Sequence, residues 1–259
     1  MWKNVQNNSN EILCSGISNL LNQNKYKFNQ IKNTNGGVYL ISDREIYLYI
    51  GQSNNIAQRI KQHKKYKYNL FQYISTEIGK KELEEFGIVN LNTLDNKSHR
   101  NEKLYYKLNC KTDLWNKIQK NSKIILESGE KVFFERKFFK WNDIYINIEN
   151  KAGVYCIEND KKDLLYIGES IDLKNRFKIH SKRTYFSAFR RSLGEKLFNF
   201  KLLIKNNKKR YFPIEQDEKI SDYIYNNCRI RFTYVNFGRL ELEKFLINKY
   251  KPLLNKKFS

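Results

Sequence analysis

Arginine and histidine recur along the chain as matched pairs. Arg59 is followed by His63 and Arg176 by His180, so each pair lies four residues apart, a spacing that puts both side chains on one face of a helix. A guanidinium fork pairs well with phosphate oxygens, so the pairs are compatible with chemistry on a phosphate ester. The alternative is a solvated helix face. The chain has only 3 histidines, and two of them at equivalent positions favour the chemical interpretation.

These pairs belong to a longer internal repeat. Residues 37–41 read Gly-Val-Tyr-Leu-Ile, and residues 153–157 read Gly-Val-Tyr-Cys-Ile. Residues 48–53 and 165–170 share Leu-Tyr-Ile-Gly and a final serine. Glu84 and Glu243 follow in matching Glu-Leu-Glu segments, but farther apart along the chain than the earlier matches. The second copy therefore carries an insertion, at residues 181–231.

Each copy has the same expected sequence of elements. Two β-branched and aromatic runs separated by polar turn residues indicate a hairpin. A short helix follows, with apolar residues at helical spacing, and then a third strand and a helix that carries the glutamate. We therefore predict an α+β fold with two domains, each a small three-stranded antiparallel sheet flanked by helices.

The predicted domain organisation has four segments. An N-terminal helical segment covers 1–30, the first repeat domain covers 31–97, and the second covers 150–259. Residues 98–149 are predicted to form a basic bridging subdomain, helical at first and then strand-like at 123–127 and 131–135. This segment either touches phosphates or presents a solvated basic face.

The charge of the chain favours a polyanionic partner. Lys and Arg number 49 against 27 Asp and Glu, a net charge of +22, which attracts nucleic acid through Coulomb forces and counterion release. A lysine-rich composition from an AT-rich genome is the alternative. No apolar run of membrane-spanning length occurs, so no membrane partner is expected.

A cytoplasmic location is expected from two features. The first residues lack the apolar stretch of a secretory signal. The four cysteines lack CxxC spacing, so neither a zinc site nor a disulfide framework is indicated, and a reducing compartment fits best.

Taken together, the repeated segments resemble the GIY-YIG nuclease family. The first signature is carried by residues 37–39 and 49–51, and the second by 153–155 and 166–168. An arginine and a glutamate follow each signature in order, and the resemblance covers about 31–97 and 150–259. It implies a phosphodiester hydrolase.

The resemblance also implies roles for particular residues. Glu84 and Glu243 correspond to the family's metal-binding glutamate, which implies one Mg²⁺ (or Mn²⁺) per active site; a hard carboxylate suits such an ion. Arg59 and Arg176 correspond to the catalytic arginine. The remaining catalytic candidates are tyrosines that orient or deprotonate water (Tyr39, Tyr155), tyrosines that line the phosphate site (Tyr49, Tyr166), and histidines that accept a proton in restriction-type members (His63, His180).

The two copies differ from one another. Copy two ends with Pro252 and Asn255, close to the family pattern, whereas copy one lacks the proline and has Gly87 within its last helix. The segment after His63 is also much shorter than its counterpart. Copy one is therefore either a second active site or a weaker, binding-only copy.

The insertion is predicted to contact DNA. Basic residues interleaved with aromatic ones suit phosphate contact and groove insertion. The alternative is a helix packed through its aromatic residues, with its arginines solvated. The candidate DNA-binding residues are Arg183, Arg190, Arg191, Lys208, Lys209 and Arg210.

The sequence thus predicts a metal-dependent DNA endonuclease, sequence-specific and of the restriction type, whose partner is double-stranded DNA. A monomer with two active sites could cut both strands, and a homodimer is the other arrangement. The family implies 5′-phosphate and 3′-hydroxyl ends, and no P-loop motif for ATP is present. The alternatives are a structure-specific nuclease for repair or branched DNA, and a DNA-binding protein with one or both copies inactive.

Overall fold

The structure is a computed structural model that describes residues 1–32, 35–96, 113–182, 184–205 and 209–255, apart from the side chains of Lys64, Lys205 and Lys209. The chain divides into two compact units. Unit 1 comprises residues 1–128 and 236–241, and unit 2 comprises residues 129–235 and 242–259. The domain boundaries given above remain a prediction.

Unit 1 contains several helices and one antiparallel sheet. Its elements are α1 (Trp2–Asn7), α2 (Ser9–Leu21), β1 (Tyr26–Lys27), β2 (Gly37–Asp43), β3 (Ile46–Ser53), α3 (Ile56–Gln62), β4 (Leu70–Ser75), α4 (Lys80–Asn90), α5 (Asp113–Lys120) and the first part of α6 (Ser122–Phe134). The strand order is β1-β4-β2-β3. The three long strands are those expected from the sequence, and β1 adds a two-residue edge.

Unit 2 repeats this arrangement and adds the insertion. Its elements are β5 (Phe139–Lys140), α7 (Ile144–Asn147), β6 (Gly153–Asn159), β7 (Leu164–Ser170), α8 (Leu173–Lys182), α9 (Ala188–Leu197), β8 (Leu203–Lys205), β9 (Lys209–Tyr211), α10 (Ile214–Asn227), β10 (Cys228–Tyr234) and most of α11 (Arg239–Tyr250). The sheet order is β5-β10-β6-β7, with β8 and β9 forming a separate hairpin. The α+β fold with two related sheets is therefore confirmed.

The signature residues occupy equivalent positions in the two sheets. Tyr39 on β2 pairs with Gly51 on β3, and Tyr155 on β6 pairs with Gly168 on β7. A Cβ atom at either glycine would overlap the hydroxyl of the paired tyrosine. Glycine is therefore required at these positions because the tyrosine ring crosses the neighbouring strand.

The repeat extends to the end of each domain. The side chain of Asn96 accepts a hydrogen bond from the amide of Ile50 and donates to its carbonyl, both at 2.9 Å. Asn255 does the same with Ile167, at 2.8 Å in each direction. These paired bonds fix the last residues of each copy to the strand that carries the second signature.

The apolar residues of α3 and α8, the helices that follow the hairpins, form part of each core. Ile56 and Ile60 of α3 are buried with Tyr39, and Leu173 and Phe177 of α8 are buried in the matching cluster. The sheet and the helix after the hairpin are thus held together by burial of apolar area.

Two expectations need correction. Residues 123–127 and 131–135 were expected as strands, but residues 122–134 form the helix α6. Ile125 and Phe133 are both buried, two helical turns apart, so helical packing prevails over the β-branched and aromatic composition.

Cys14 is disulfide-bonded, contrary to the expectation for the cysteines, while Cys156 and Cys228 are buried free thiols. No helix in the described ranges is long and apolar enough to cross a membrane.

Candidate active sites

The site in unit 1 is assembled by two strands and a short helix. Tyr39 and Tyr49 come from β2 and β3, and Arg59 comes from the last turn of α3. His63 is the residue that ends this helix. The helix begins at Asn55, whose side chain accepts a hydrogen bond from the amide of residue 58 at 2.9 Å. This cap fixes where the helix that carries Arg59 starts.

The tyrosine and the histidine of this site are in direct contact. Tyr39 Oη lies 2.7 Å from His63 Nε2. The His63 ring also lies 5.0 Å from the ring of Tyr49 and 5.7 Å from that of Tyr66. Hydrogen bonding to Tyr39, and to a lesser extent to Tyr49, raises the pKa of Arg59. The predicted residues Tyr39, Tyr49, Arg59 and His63 therefore form one cluster.

Burial keeps both members of the hydrogen-bonded pair neutral. Desolvation, with a smaller contribution from Tyr49, raises the pKa of Tyr39 above its usual 10.0. Desolvation, together with the charges of Arg59 and Lys65, lowers the pKa of His63 to about 4. At neutral pH the pair is therefore a phenol and an uncharged imidazole.

Glu84 lies on α4 and is coupled to the same cluster. Burial raises the pKa of its carboxyl group to about 7. A backbone hydrogen bond from Gln52 and the charges of Lys81 and Arg59 oppose this rise. The negative charge of Glu84 also contributes to the raised pKa of Tyr39. Glu84, the fifth predicted residue of the site, therefore belongs with the other four.

The site in unit 2 contains the same pair in a more buried setting. Tyr155 Oη lies 2.6 Å from His180 Nε2, and only 1% of His180 is exposed. Burial raises the pKa of Tyr155 and lowers that of His180, the latter also through Arg176 and Arg190. His180 Nδ1 lies 2.7 Å from Ser187 Oγ, so both ring nitrogens have partners.

The remaining predicted residues of unit 2 surround this pair. Burial and, to a smaller extent, the charge of Glu243 raise the pKa of Tyr166 to about 12, and the charge of Arg176 acts in the opposite direction. The same two charges act on Tyr155. Nε of Arg176 is buried and has no hydrogen-bond partner within the described part of the chain. A phosphate oxygen is the kind of acceptor that would satisfy it.

The comparisons with known proteins agree with this geometry. A family model described as "GIY-YIG catalytic domain" matches residues 35–143, and a second model with the same description matches residues 131–258. The chain belongs to the GIY-YIG nuclease family. It carries two copies of the catalytic domain and is an endonuclease.

One curated relative of this GIY-YIG protein is the UvrABC system protein C of Hahella chejuensis (strain KCTC 2396). It is 25% identical over 131 residues, which is 45% of this chain and 20% of the relative. The match therefore spans about one fifth of the relative's length. The search of solved structures gave no match.

Some site residues of this GIY-YIG chain were not predicted from the sequence. Ser187 precedes α9, accepts a hydrogen bond from the amide of Arg190 at 3.0 Å and touches His180. Phe189 packs its ring 5.5 Å from that of His180, much as Tyr66 packs against His63 in unit 1. The serine before a helical run is a capping signal, but nothing in its spacing indicates contact with a histidine.

The structure corrects the prediction that Arg190 binds DNA. None of its side chain is exposed. It forms an ion pair of 2.7 Å with Asp217 and donates hydrogen bonds to the carbonyl of His180 and to Ser221. Arg190 therefore ties α9 to α10 and to α8, the helix that carries Arg176 and His180, and it is not available to a phosphate.

The other basic candidates fall into two groups. Arg191 and Arg210 line a cavity that also contains Tyr166 and Glu243. Arg183 and Lys208 lie outside the described residues, and Lys209 is described only as part of β9.

The carboxylates are compatible with the metal that the family implies. No group of three or more histidine, cysteine, aspartate or glutamate side chains is arranged to hold a metal within the described residues. Mg²⁺ commonly takes one or two carboxylates and completes its shell with water and substrate phosphates. A single hard oxygen donor in each site, Glu84 or Glu243, fits this mode of binding.

Proposed function

We propose that the chain is a metal-dependent DNA endonuclease that hydrolyses phosphodiester bonds, cutting double-stranded DNA at a specific sequence in the manner of restriction enzymes. The observation that carries this proposal is the presence of two full sets of tyrosines, arginine, histidine and glutamate in one chain. A duplication kept only for architecture would need the apolar repeat but not these polar side chains.

The tyrosine–histidine pair supplies a route for the proton of the attacking water. Tyr155 is a neutral phenol in contact with His180 Nε2. As the water approaches phosphorus, its proton passes to Tyr155 Oη while the phenolic proton passes to His180. The imidazole becomes charged, the phenol is restored, and the hydroxide forms the new bond to phosphorus.

Arg176 is suited to the charge that builds up on the phosphate. A guanidinium stays protonated at any pH at which DNA is intact and binds phosphate oxygens through two parallel donors. Its buried, unpartnered Nε provides one of these donors. Fixed donors aimed at developing charge are a large source of rate enhancement in dry sites. Arg59 has this role in the first copy.

Glu84 and Glu243 would hold one Mg²⁺ or Mn²⁺ each. A bound divalent ion polarises a phosphate oxygen and stabilises the leaving 3′-oxygen. The bond that breaks is the one between phosphorus and this oxygen, which leaves 5′-phosphate and 3′-hydroxyl ends.

The substrate is proposed from charge and from the number of sites. A net charge of +22 favours a polyanion. Two active sites in one chain suit the two strands of a duplex, so a monomer could make a double-strand break. If only the second copy is active, a homodimer or two successive encounters are required.

A supercoiled-plasmid assay with Mg²⁺ tests the proposal. The wild type is compared with Glu84→Gln, Glu243→Gln and the double variant. The exposed residues Glu45 and Glu218 provide matched controls as Glu45→Gln and Glu218→Gln. The wild type and controls should give discrete linear fragments, each single variant should only nick, and the double variant should leave the plasmid intact.

Other outcomes of this assay are also informative. If Glu243→Gln abolishes cutting and Glu84→Gln has no effect, the first copy serves binding. If the wild type cuts no plasmid with Mg²⁺ or Mn²⁺, the proposal of a restriction-type enzyme is wrong.

A structure-specific nuclease for branched or damaged DNA is the second candidate. The similarity to UvrABC system protein C favours it, although the match covers only 20% of that protein. Equal amounts of linear duplex, flap and four-way junction, each labelled differently, would separate the two functions. A clear preference for flaps or junctions supports the second candidate.

A further inference from the structure

A small cavity opens beside the catalytic residues of unit 2. Its volume is about 260 Å³. Tyr166 and Glu243 line it from the catalytic side, and Arg191 and Arg210 line it from the insertion. The other lining residues are Ala188, Ser192, Glu195, Leu202, Leu254 and Asn255. Residues of the repeated fold and of the insertion therefore meet at one site.

Arg191 is held in place at the edge of this cavity. Its Nη1 donates to the carbonyl of Tyr185 at 3.0 Å and approaches that of Thr184 at 3.4 Å. These carbonyls belong to the short turn Thr184–Phe186 between α8 and α9. The guanidinium is anchored by neutral acceptors, so its positive charge remains available to a ligand.

The two arginines act on each other as like charges. Burial and then the charge of Arg210 lower the pKa of Arg191, while Tyr166 and Glu195 oppose this. Glu195 is exposed and lies one helical turn after Arg191 on α9. Two cations brought together at a partly buried site are stabilised when an anion binds between them.

We propose that this cavity is a second phosphate subsite, in which Arg191 and Arg210 bind the DNA phosphate adjacent to the one that is cut. The inference rests on the proposed function, because it requires that a DNA strand passes Tyr166 and Glu243. A volume of about 260 Å³ suits a phosphate with a few waters, and drug-sized ligands usually need a larger pocket. Guanidinium forks match phosphate oxygens in geometry and in charge.

Within the part of the chain that the structure describes, the first copy has no equivalent of this subsite. Between His63 and β4 the chain has only six residues, including the short turn Lys64–Tyr66. In the second copy the insertion provides α9 and the β8–β9 hairpin at this place. The subsite therefore makes the second active site bind a longer stretch of backbone than the first.

Duplexes with one neutral phosphate test the subsite. After the cut sites are mapped, a methylphosphonate replaces each phosphate near the scissile bond in turn. Binding is measured by fluorescence anisotropy with the full chain in Ca²⁺, which is used so that cleavage does not interfere. The proteins are the wild type, Arg191→Gln, Arg210→Gln and the control Lys219→Ala, which removes an exposed charge of α10 outside the cavity.

A specific non-additive pattern is expected. For the wild type and Lys219→Ala, the methylphosphonate next to the bond cut by the second copy should weaken binding roughly tenfold, as expected for a charged hydrogen bond. For Arg191→Gln and Arg210→Gln, binding to the unmodified duplex should already be weaker by a similar factor, and the same methylphosphonate should cause little further loss.

Three results would overturn the subsite. One is a wild type that is insensitive to the adjacent methylphosphonate, a measurement that does not depend on how the variants fold. Another is a methylphosphonate effect on binding that is as large in the arginine variants as in the wild type at every phosphate position, so that the two losses simply add. The third is a loss of wild-type binding when a guanine near the cut site is replaced by 7-deazaguanine, and no such loss in the arginine variants. That result would show that the arginines bind a base edge and not a phosphate. If the wild type binds no DNA at all, the proposed function fails as well, which distinguishes the two cases.

Discussion

His180 is held between Tyr155 and a serine of the insertion. Its Nε2 lies 2.6 Å from Tyr155 Oη, and its Nδ1 lies 2.7 Å from Ser187 Oγ. Among the described residues of unit 1, only the first of these contacts has a counterpart: His63 Nε2 lies 2.7 Å from Tyr39 Oη. For Nε2 to accept the phenolic proton, Nδ1 must carry the ring proton and donate a hydrogen bond to Ser187 Oγ. Ser187 is thus placed to select the active tautomer.

The first prediction concerns this serine. Ser187→Ala should lower the cleavage rate of the second copy roughly tenfold, which is less than the about 10²–10⁴-fold that a positioned base contributes, because His180 itself is retained. The balance of His180 tautomers should also change. The rate is measured in the Glu84→Gln background as the conversion of supercoiled plasmid to nicked plasmid. The tautomer is measured by the ¹⁵N chemical shifts of the histidine ring. Loss of the helix cap alone would lower the stability by about 1 kcal/mol without moving the ¹⁵N shifts, and that result would contradict the positioning role.

The second prediction concerns acid sensitivity. Burial lowers the pKa of His180 far below its unfolded value of 6.5, so the unfolded chain takes up a proton that the folded chain does not. Stability is therefore fully present above pH 6.5 and falls as the pH is lowered towards the folded pKa. The unfolding free energy of the wild type should decrease between pH 7.5 and pH 5.5. For His180→Asn this decrease should be smaller by about 1 kcal/mol. Urea unfolding at both pH values measures it.

A control separates this effect from the titration of other groups. Glu82 has its pKa raised to about 7, chiefly by burial, so its contribution changes in the opposite direction, and stability is lost as the pH rises. His180→Asn and Glu82→Gln should therefore alter the pH dependence with opposite signs. The same slope in His180→Asn and the wild type would show that His180 is accessible to protons in the folded state.

The sequence allowed the repeated parts of the molecule to be predicted because they rest on local periodicity. Apolar spacing indicated α3 and α8, and the signatures indicated both hairpins. Polar residues that recur at equivalent positions, such as Arg59 and Arg176, indicated both sites. These features depend on residues that are close in sequence, where side-chain period and turn chemistry are informative.

The features that were not predicted depend on contacts between distant residues. Arg190 and Arg191 are neighbours on α9, yet one is buried against Asp217 and the other lines the cavity beside Glu243. Nothing in their spacing distinguishes them, because the partner lies 27 residues away for Arg190. The same reason applies to α6, where the burial of Ile125 and Phe133 is set by tertiary packing.

The third prediction uses the signature glycines as a matched pair. A methyl group at Gly168 would overlap Tyr155, and one at Gly51 would overlap Tyr39. Each substitution to alanine should cost about 1–3 kcal/mol of unfolding free energy, as overpacking does, and displace the tyrosine. Gly168→Ala should abolish nicking in the Glu84→Gln background, and Gly51→Ala should do so in the Glu243→Gln background. If either variant affects both backgrounds equally, the two sites do not act independently.

The fourth prediction separates the two neighbouring arginines. Arg190→Met leaves Asp217 without its cation and should lower the unfolding free energy by about 3 kcal/mol, the usual effect of breaking a buried ion pair. The exposed Lys219→Met should change it by less than about 0.5 kcal/mol. Replacing both partners, as Arg190→Met with Asp217→Leu, should restore part of the loss, because no charge is then left unpaired. Thermal unfolding and DNA binding are measured on the same samples. An Arg190→Met variant with unchanged stability and weakened DNA binding would show that this guanidinium faces the DNA and that the buried ion pair does not form.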